Sequence, residues 1–123
     1  MTFKLSQRSL DRMKGVDERL VNVVKRAIEI SEVDFCVTEG LRTVERQKQL
    51  VAAGASQTMK SKHIEGKAVD LAAIVGGKIR WDWPLYVKIG DAMKRASEIL
   101  NIPIVRGMDW VTLKDGPHFQ LKD

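Results

Sequence analysis

The sequence predicts an α+β domain, and three observations predict it. Apolar residues recur at helical spacing over two long stretches, short strand-like runs lie scattered along the chain, and no repeat or linker divides them. Helices followed by strands drawn from non-adjacent segments form the pattern of helices packed against a small antiparallel sheet. The 123 residues fit one domain spanning 1–123, and an apolar content of 44% suffices for its core.

Taken in order, the segment from Ser6 to Lys14 predicts a short helix with Ser6 or Ser9 as N-cap, interrupted by Gly15. From about Asp17 to Ile30, Leu20, Val23, Val24, Ala27 and Ile28 make one apolar stripe, and Lys25, Arg26 and Glu29 fall outside it. Residues 34–38 read as a strand. Thr43 is a candidate N-cap for a helix through about Ala53, with Gly54 just past its end. The polar stretch from Gly54 to Gly66 is long for a connection in a small domain, which points to function or disorder. Lys67 to Ile74 is strand-like, and Gly76-Gly77 predicts a hairpin into Lys78-Ile79-Arg80. Pro84 suits the first turn of a helix to about Leu100, with Leu85, Ile89, Met93, Ala96 and Leu100 facing inward and Asn101 and Pro103 ending it. Two short strands follow near Ile104–Arg106 and His118–Leu121. The expected architecture is a small antiparallel sheet packed against about three helices.

Composition excludes several classes. The longest uncharged apolar-rich stretch, around Ala68 to Ile74, is broken by Asp70 and too short to span a bilayer. Residues 1–20 are too charged to contain the apolar segment of a secretory signal. The single Cys36 forbids an internal disulfide; in the apolar run Val33 to Val37 it reads as a buried, inert thiol. A net charge of +5 is compatible with nucleic acid, anionic membrane or anionic wall polymers, and equally with a mildly basic surface. Trp81, Trp83 and Trp110 line a cleft or fill the core, and core is expected for at least one.

Chemistry concentrates around the only two histidines. His63 lies in Ser61-Lys62-His63-Ile64-Glu65-Gly66-Lys67-Ala68-Val69-Asp70, and His118 in Asp115-Gly116-Pro117-His118-Phe119. Either histidine alone is more often an ordinary surface or core residue than a ligand. Asp70 changes the weighing, because a carboxylate inside an apolar strand carries a desolvation cost of several kcal/mol unless compensated. It needs a cation such as Arg42 or Arg80, a strong set of hydrogen bonds, or a metal. Two imidazoles and one carboxylate make a catalytic zinc set with a fourth position left for water. A hydrolytic site also needs a general base that is not a ligand. Asp115, three residues before His118, is the candidate, although Asp-Gly is also an ordinary turn dipeptide. Glu65 is a weaker competitor. Arg42, between a strand and a helix, can steady a developing oxyanion or bind a substrate carboxylate, or else sit in a surface turn. Gln47, one turn into that helix, is a further cleft candidate.

These residues resemble a known family, the VanY-type D-alanyl-D-alanine carboxypeptidases and L-alanyl-D-glutamate endopeptidases. The resemblance rests on Ser61-x-His63-x-x-Gly66-x-Ala68-x-Asp70, on Asp115-x-x-His118-Phe119 and on Gly40-x-Arg42-Thr43-x-x-x-Gln47, and it runs from about Val16 to Leu121. It implies a hedgehog-like zinc peptidase fold. It also implies Zn2+ on His63, Asp70 and His118, Asp115 as base, Arg42 on the substrate carbonyl or carboxylate, and Ser61 near the substrate. Carboxypeptidases of the group tend to have Glu at the position of Asp115, so aspartate is closer to the endopeptidases of phage endolysins.

The resulting expectation is a monomeric phage endolysin hydrolysing the L-alanyl-D-glutamate bond of peptidoglycan stem peptides, with Lys60, Lys62 or Lys67 drawing in their carboxylates. It would be made in the host bacterial cytoplasm without a signal peptide and released through a separate pore-former, with no nucleic acid partner and no stable membrane insertion. The alternatives are a D-alanyl-D-alanine carboxypeptidase and, in another class, a non-catalytic wall-binding module with structural zinc.

Overall fold

Helices begin where short polar side chains accept backbone hydrogens. In the computed structural model, which describes residues 2–55, 61–111 and 114–123, Ser6 caps α1 (Gln7–Arg12) by accepting from Ser9 N. Asp17 caps α2 (Glu18–Ile30) through Arg19 N, and Thr43 caps α3 (Val44–Ala52) through Arg46 N. Helix α4 (Trp83–Leu100) carries Pro84 in its first turn and stops at Asn101, whose φ of 57° is left-handed. The described residues thus hold four α-helices, of which α2 and α4 pack on each other and α4 also covers part of the sheet.

The five strands are β1 (Asp34–Glu39), β2 (Ala68–Val75), β3 (Lys78–Arg80), β4 (Ile104–Arg106) and β5 (His118–Leu121). All pairings are antiparallel, in the order β1-β2-β5-β4, with β3 also pairing to β2. A 3₁₀ turn, Gly107–Asp109, follows β4. Gly76 and Gly77 have φ values of 60° and 78°, the paired left-handed conformation of a tight hairpin turn.

Strand alternation gives the sheet one apolar face. Phe35, Val37, Val69, Leu71, Ala73, Phe119 and Leu121 join Leu20, Val23, Val24, Ala27 and Ile28 of α2 and Ile89, Met93 and Ala96 of α4 in one core. The inward face of α4 is turned slightly from the predicted stripe: Tyr86 is buried, Leu85 only partly, and Leu100 is exposed at the helix end. No tryptophan fills the core, contrary to expectation. Trp81 and Trp83 are 62% and 46% exposed, and Trp110 is half-buried. The aromatic places inside are taken by Phe35, Phe119 and Tyr86, and Trp81 stacks outside on Tyr86 with ring centroids 6.1 Å apart. Cys36 is half-buried opposite Ala72, and burial pushes its thiol pKa up, which suppresses thiolate reactivity.

Two details of β1 matter for the site. It is an edge strand, and α1 covers that edge. Ser9 Oγ accepts from Val37 N at 2.9 Å, and Arg12 Nη1 donates to Val37 O at 3.0 Å. Its register against β2 also shifts: Val37 faces Leu71, but Glu39 faces Asp70, leaving Thr38 as the extra residue of a bulge.

Candidate active site

The bulge builds the first row of the site. Asp70 lies opposite Glu39 on one side and opposite His118 on the other, and residues directly opposite share a face. Glu39, Asp70 and His118 therefore stand in line on the face turned away from the core. His63 joins them from the loop before β2. That loop folds back at Gly66, whose φ is 69° and whose N–H donates to His63 O at 3.2 Å. A side chain at Gly66 would strike Gly15 O at 2.5 Å, so glycine is required there for both conformation and space.

His63 Nε2 lies 3.2 Å from Asp70 Oδ1, and His118 Nδ1 lies 3.3 Å from the same oxygen. The three ligand atoms all fall within 4.8 Å of one another. Each ring has an acceptor behind it. His63 Nδ1 is 2.8 Å from Gly40 O, and His118 Nε2 is 2.8 Å from Gln120 Oε1. A neutral imidazole carries one N–H and one lone pair, so outward N–H bonds turn both lone pairs toward the Asp70 carboxylate. Three electron-rich atoms facing one another repel unless a proton or a metal cation lies between them, and this donor set fits zinc. Neither arginine proposed as a partner for Asp70 takes that place: Arg42 pairs with Glu39 and Arg80 with Asp82.

Without a cation between them, the same atoms are held together by shared protons. Burial acts to raise the Asp70 carboxyl, but the contacts of His118 and His63 outweigh it and hold Asp70 well below the usual carboxylate range. Burial acts to lower His118, yet its bonds to Asp70 and Gln120 raise it above the ordinary imidazole value. Asp115 moves the other way from Asp70. Burial first, and the Asp70 charge second, push its pKa up, making it a stronger base than a solvated aspartate.

A cleft of about 490 Å³ opens over these groups, with Glu39, Arg42, Ser61, Lys62, Trp110, Asp115 and Gln120 among its lining residues. Asp115 is carried by a tight turn in which His118 N donates to Asp115 O at 3.3 Å. Glu65 is not in the lining and pairs with Lys62. Arg42 is held by Glu39 through Nε and Nη2 at 2.7 and 2.6 Å, and its Nη1 donates to Gln47 Oε1 at 2.7 Å and Ser61 Oγ at 3.5 Å. The Glu39 contact also raises the Arg42 pKa. Gln47 is fully buried behind Arg42 and does not line the cleft. Lys62 reaches the cleft rim, Lys67 pairs with Asp123, and Lys60 lies outside the described residues.

Sequence reasoning passed over Glu39 and Gln120, whereas Trp110, expected either in a cleft or in the core, lines the cleft. Trp110 packs on His118 with ring centroids 5.1 Å apart. Gln120 carried a usable signal, because it follows His118 by two residues in a predicted strand and so shares its face. Glu39 carried none, since its facing depends on the bulge.

The chain superposes on the crystal structure of the Serratia marcescens L-Ala D-Glu endopeptidase ChiX with a TM-score of 0.92 and 43% identity, over 98% of this chain and 90% of that one. It shares its fold with the vancomycin-resistance D,D-dipeptidase VanXYg, at a TM-score of 0.56 and 20% identity over 86% of this chain and 50% of that one. The fold is thus that of the hedgehog-like zinc peptidases. The sequence profile of the phage L-alanyl-D-glutamate peptidase family matches residues 1–121, and the chain belongs to that family. It is 37% identical over 114 residues to the L-alanyl-D-glutamate peptidase of Escherichia phage T5, covering 89% of this chain and 83% of that protein. It is 29% identical over 123 residues to the L-alanyl-D-glutamate peptidase of Listeria phage A118, spanning 43% of that longer protein.

Proposed function

We propose that this enzyme is a zinc endopeptidase that hydrolyses the L-alanyl-D-glutamate bond of peptidoglycan stem peptides, in the service of host-wall lysis by a phage. The observation that carries the reading is Asp115: a half-buried carboxylate, outside the donor set, lines the same cleft as His63, Asp70 and His118. A structural metal site needs no such group.

His63 Nε2, Asp70 Oδ1 and His118 Nδ1 would hold the ion, which when bound acidifies water and polarises a carbonyl. Asp115 accepts a proton from the attacking water as the new C–O bond forms. It then delivers that proton to the departing amine nitrogen as the C–N bond breaks. Arg42 acts as a fixed donor. Of its five N–H groups, Nε and one on Nη2 go to Glu39, and Nη1 faces Gln47 and Ser61. Among the described residues this leaves one Nη2 hydrogen for a substrate oxygen. Gln47 contributes by holding Arg42, and Ser61 and Lys62, which line the cleft, would meet substrate carboxylates. On this reading the enzyme is made inside the infected cell and reaches the wall through a separate pore-former; no helix among the described residues is long and apolar enough to cross a membrane.

The test is digestion of purified peptidoglycan with wild type and Asp115→Ala, combined with zinc analysis. Wild type should expose new glutamyl amino termini and clear the suspension. Asp115→Ala should keep near-stoichiometric zinc while clearing falls by orders of magnitude. Release of free D-alanine without clearing rejects the endopeptidase assignment, and unchanged clearing by the variant removes Asp115 from the mechanism.

A further inference from the structure

We propose that Gln120 is a positioning residue that fixes which nitrogen of His118 faces the metal position. The proposal rests on the three-donor reading above and concerns how one donor is held. His118 presents Nδ1 to the site while His63 presents Nε2, so the two rings are used in opposite senses. A ring that offers Nδ1 must carry its proton on Nε2, and in this protein Nε2 lies 2.8 Å from Gln120 Oε1. The amide oxygen can only accept, so it selects the Nε2–H tautomer and leaves the Nδ1 lone pair free. His63 is locked in the matching way by a backbone oxygen, Gly40 O, which no substitution removes. The lock on His118 is a side chain and is therefore testable.

Strand geometry puts Gln120 in reach. Residues two apart on β5 share a face, and Gln120 lies opposite the small Ala68. Trp110 packs against the same imidazole, so His118 is held by an amide at one nitrogen and by an indole ring. A neutral acceptor also suits the surroundings. Glu39, Asp70 and Asp115 already line the cleft, and a fourth carboxylate would repel an anionic stem peptide.

The experiment uses the whole protein as wild type, Gln120→Leu, Gln120→Glu and His118→Ala. Zinc affinity is measured by chelator competition, histidine tautomers by 15N–1H spectra, and folding by thermal unfolding. Wild-type zinc protein should show His118 protonated at Nε2 with its Nδ1 unprotonated. Gln120→Leu, which keeps the bulk and loses the acceptor, should bind zinc about 10–100-fold more weakly. Gln120→Glu, which restores an acceptor, should return affinity to within a few-fold of wild type. Unaltered affinity in Gln120→Leu, an equal loss in Gln120→Glu, or a wild-type His118 protonated at Nδ1 overturns the proposal. Unaltered zinc affinity in His118→Ala would instead overturn the donor set itself, which separates the two failures. If Gln120→Leu does not fold, the wild-type spectrum and Gln120→Glu still decide.

Discussion

Adding one methyl group at Gly107 should damage catalysis directly, through Asp115. It opens the 3₁₀ turn after β4, and its carbonyl accepts from Asp115 N at 3.1 Å. A Cβ placed there would lie 2.3 Å from Asp115 O, and 3.0 Å from both Asp115 Cβ and His118 Cβ. Its φ is not left-handed, so the effect of Gly107→Ala is one of space alone. Restoring an ordinary contact requires the Asp115 carbonyl to retreat by about 1 Å. The neighbouring Gly116 already sits against Trp83 and Tyr86, which limits where the turn can go. A displacement of about 1 Å of a catalytic group costs roughly 100-fold in rate, and overpacking of this kind costs about 1–3 kcal/mol of stability. The expected result is a kcat/KM lower by about 100-fold and a Tm lower by roughly 4–12 °C, measured on peptidoglycan fragments and by thermal unfolding. Gly77→Ala is the control: it has a φ of 78° and open space around it, and should lose about 1 kcal/mol with kcat/KM unchanged. Wild-type kcat/KM in Gly107→Ala would refute the steric argument.

Three further outcomes follow from the same geometry. Glu39→Ala should destabilise the protein by about 1–3 kcal/mol, because the mostly buried Arg42 loses its carboxylate partner and keeps only the neutral acceptors Gln47 and Ser61; zinc content should stay at wild-type level, and urea titration with metal analysis checks both. Ser9→Ala should cost about 1–3 kcal/mol in urea unfolding by orphaning the buried Val37 N–H, whereas an unchanged midpoint would mean that water takes over the bond. Arg19 first and Lys67 second hold the Asp123 carboxyl down to about 2 from an ordinary 3.8. A depressed carboxyl stabilises the fold above its unfolded pKa and loses that contribution as pH falls through its folded one. The Tm difference between wild type and Asp123→Asn should therefore be present at pH 5 and mostly lost by pH 2, and since the side chain is exposed it should also shrink in high salt.

Much of the molecule was legible because its signals are local. Caps at Ser6 and Thr43, the stripe of α2, the Gly76-Gly77 turn and the helix stop at Asn101 follow from the residues themselves. The meeting of His63, Asp70 and His118 was legible for another reason: a carboxylate in an apolar strand demands a partner, and few residue types qualify. What stayed hidden depends on relations between strands. The bulge that swings Glu39 into line with Asp70 changes which face a residue occupies, and nothing in Val37-Thr38-Glu39 marks it. Close backbone passages, Gly107 over Asp115 and Gly66 over Gly15, are invisible until both partners are placed. The tryptophans misled because size and hydrophobicity say core, whereas an aliphatic interior with Phe35, Phe119 and Tyr86 was already full.

The strand order holds a consequence for the life of the molecule. β5 is last along the chain but lies inside the sheet, between β2 and β4. Its pairing with β2 joins Ala68 to Gln120 and Asp70 to His118, the kind of long-separation contact that forms slowly. Because β5 supplies His118, the trio of His63, Asp70 and His118 exists only once that inner strand has paired, so sheet and site are completed together.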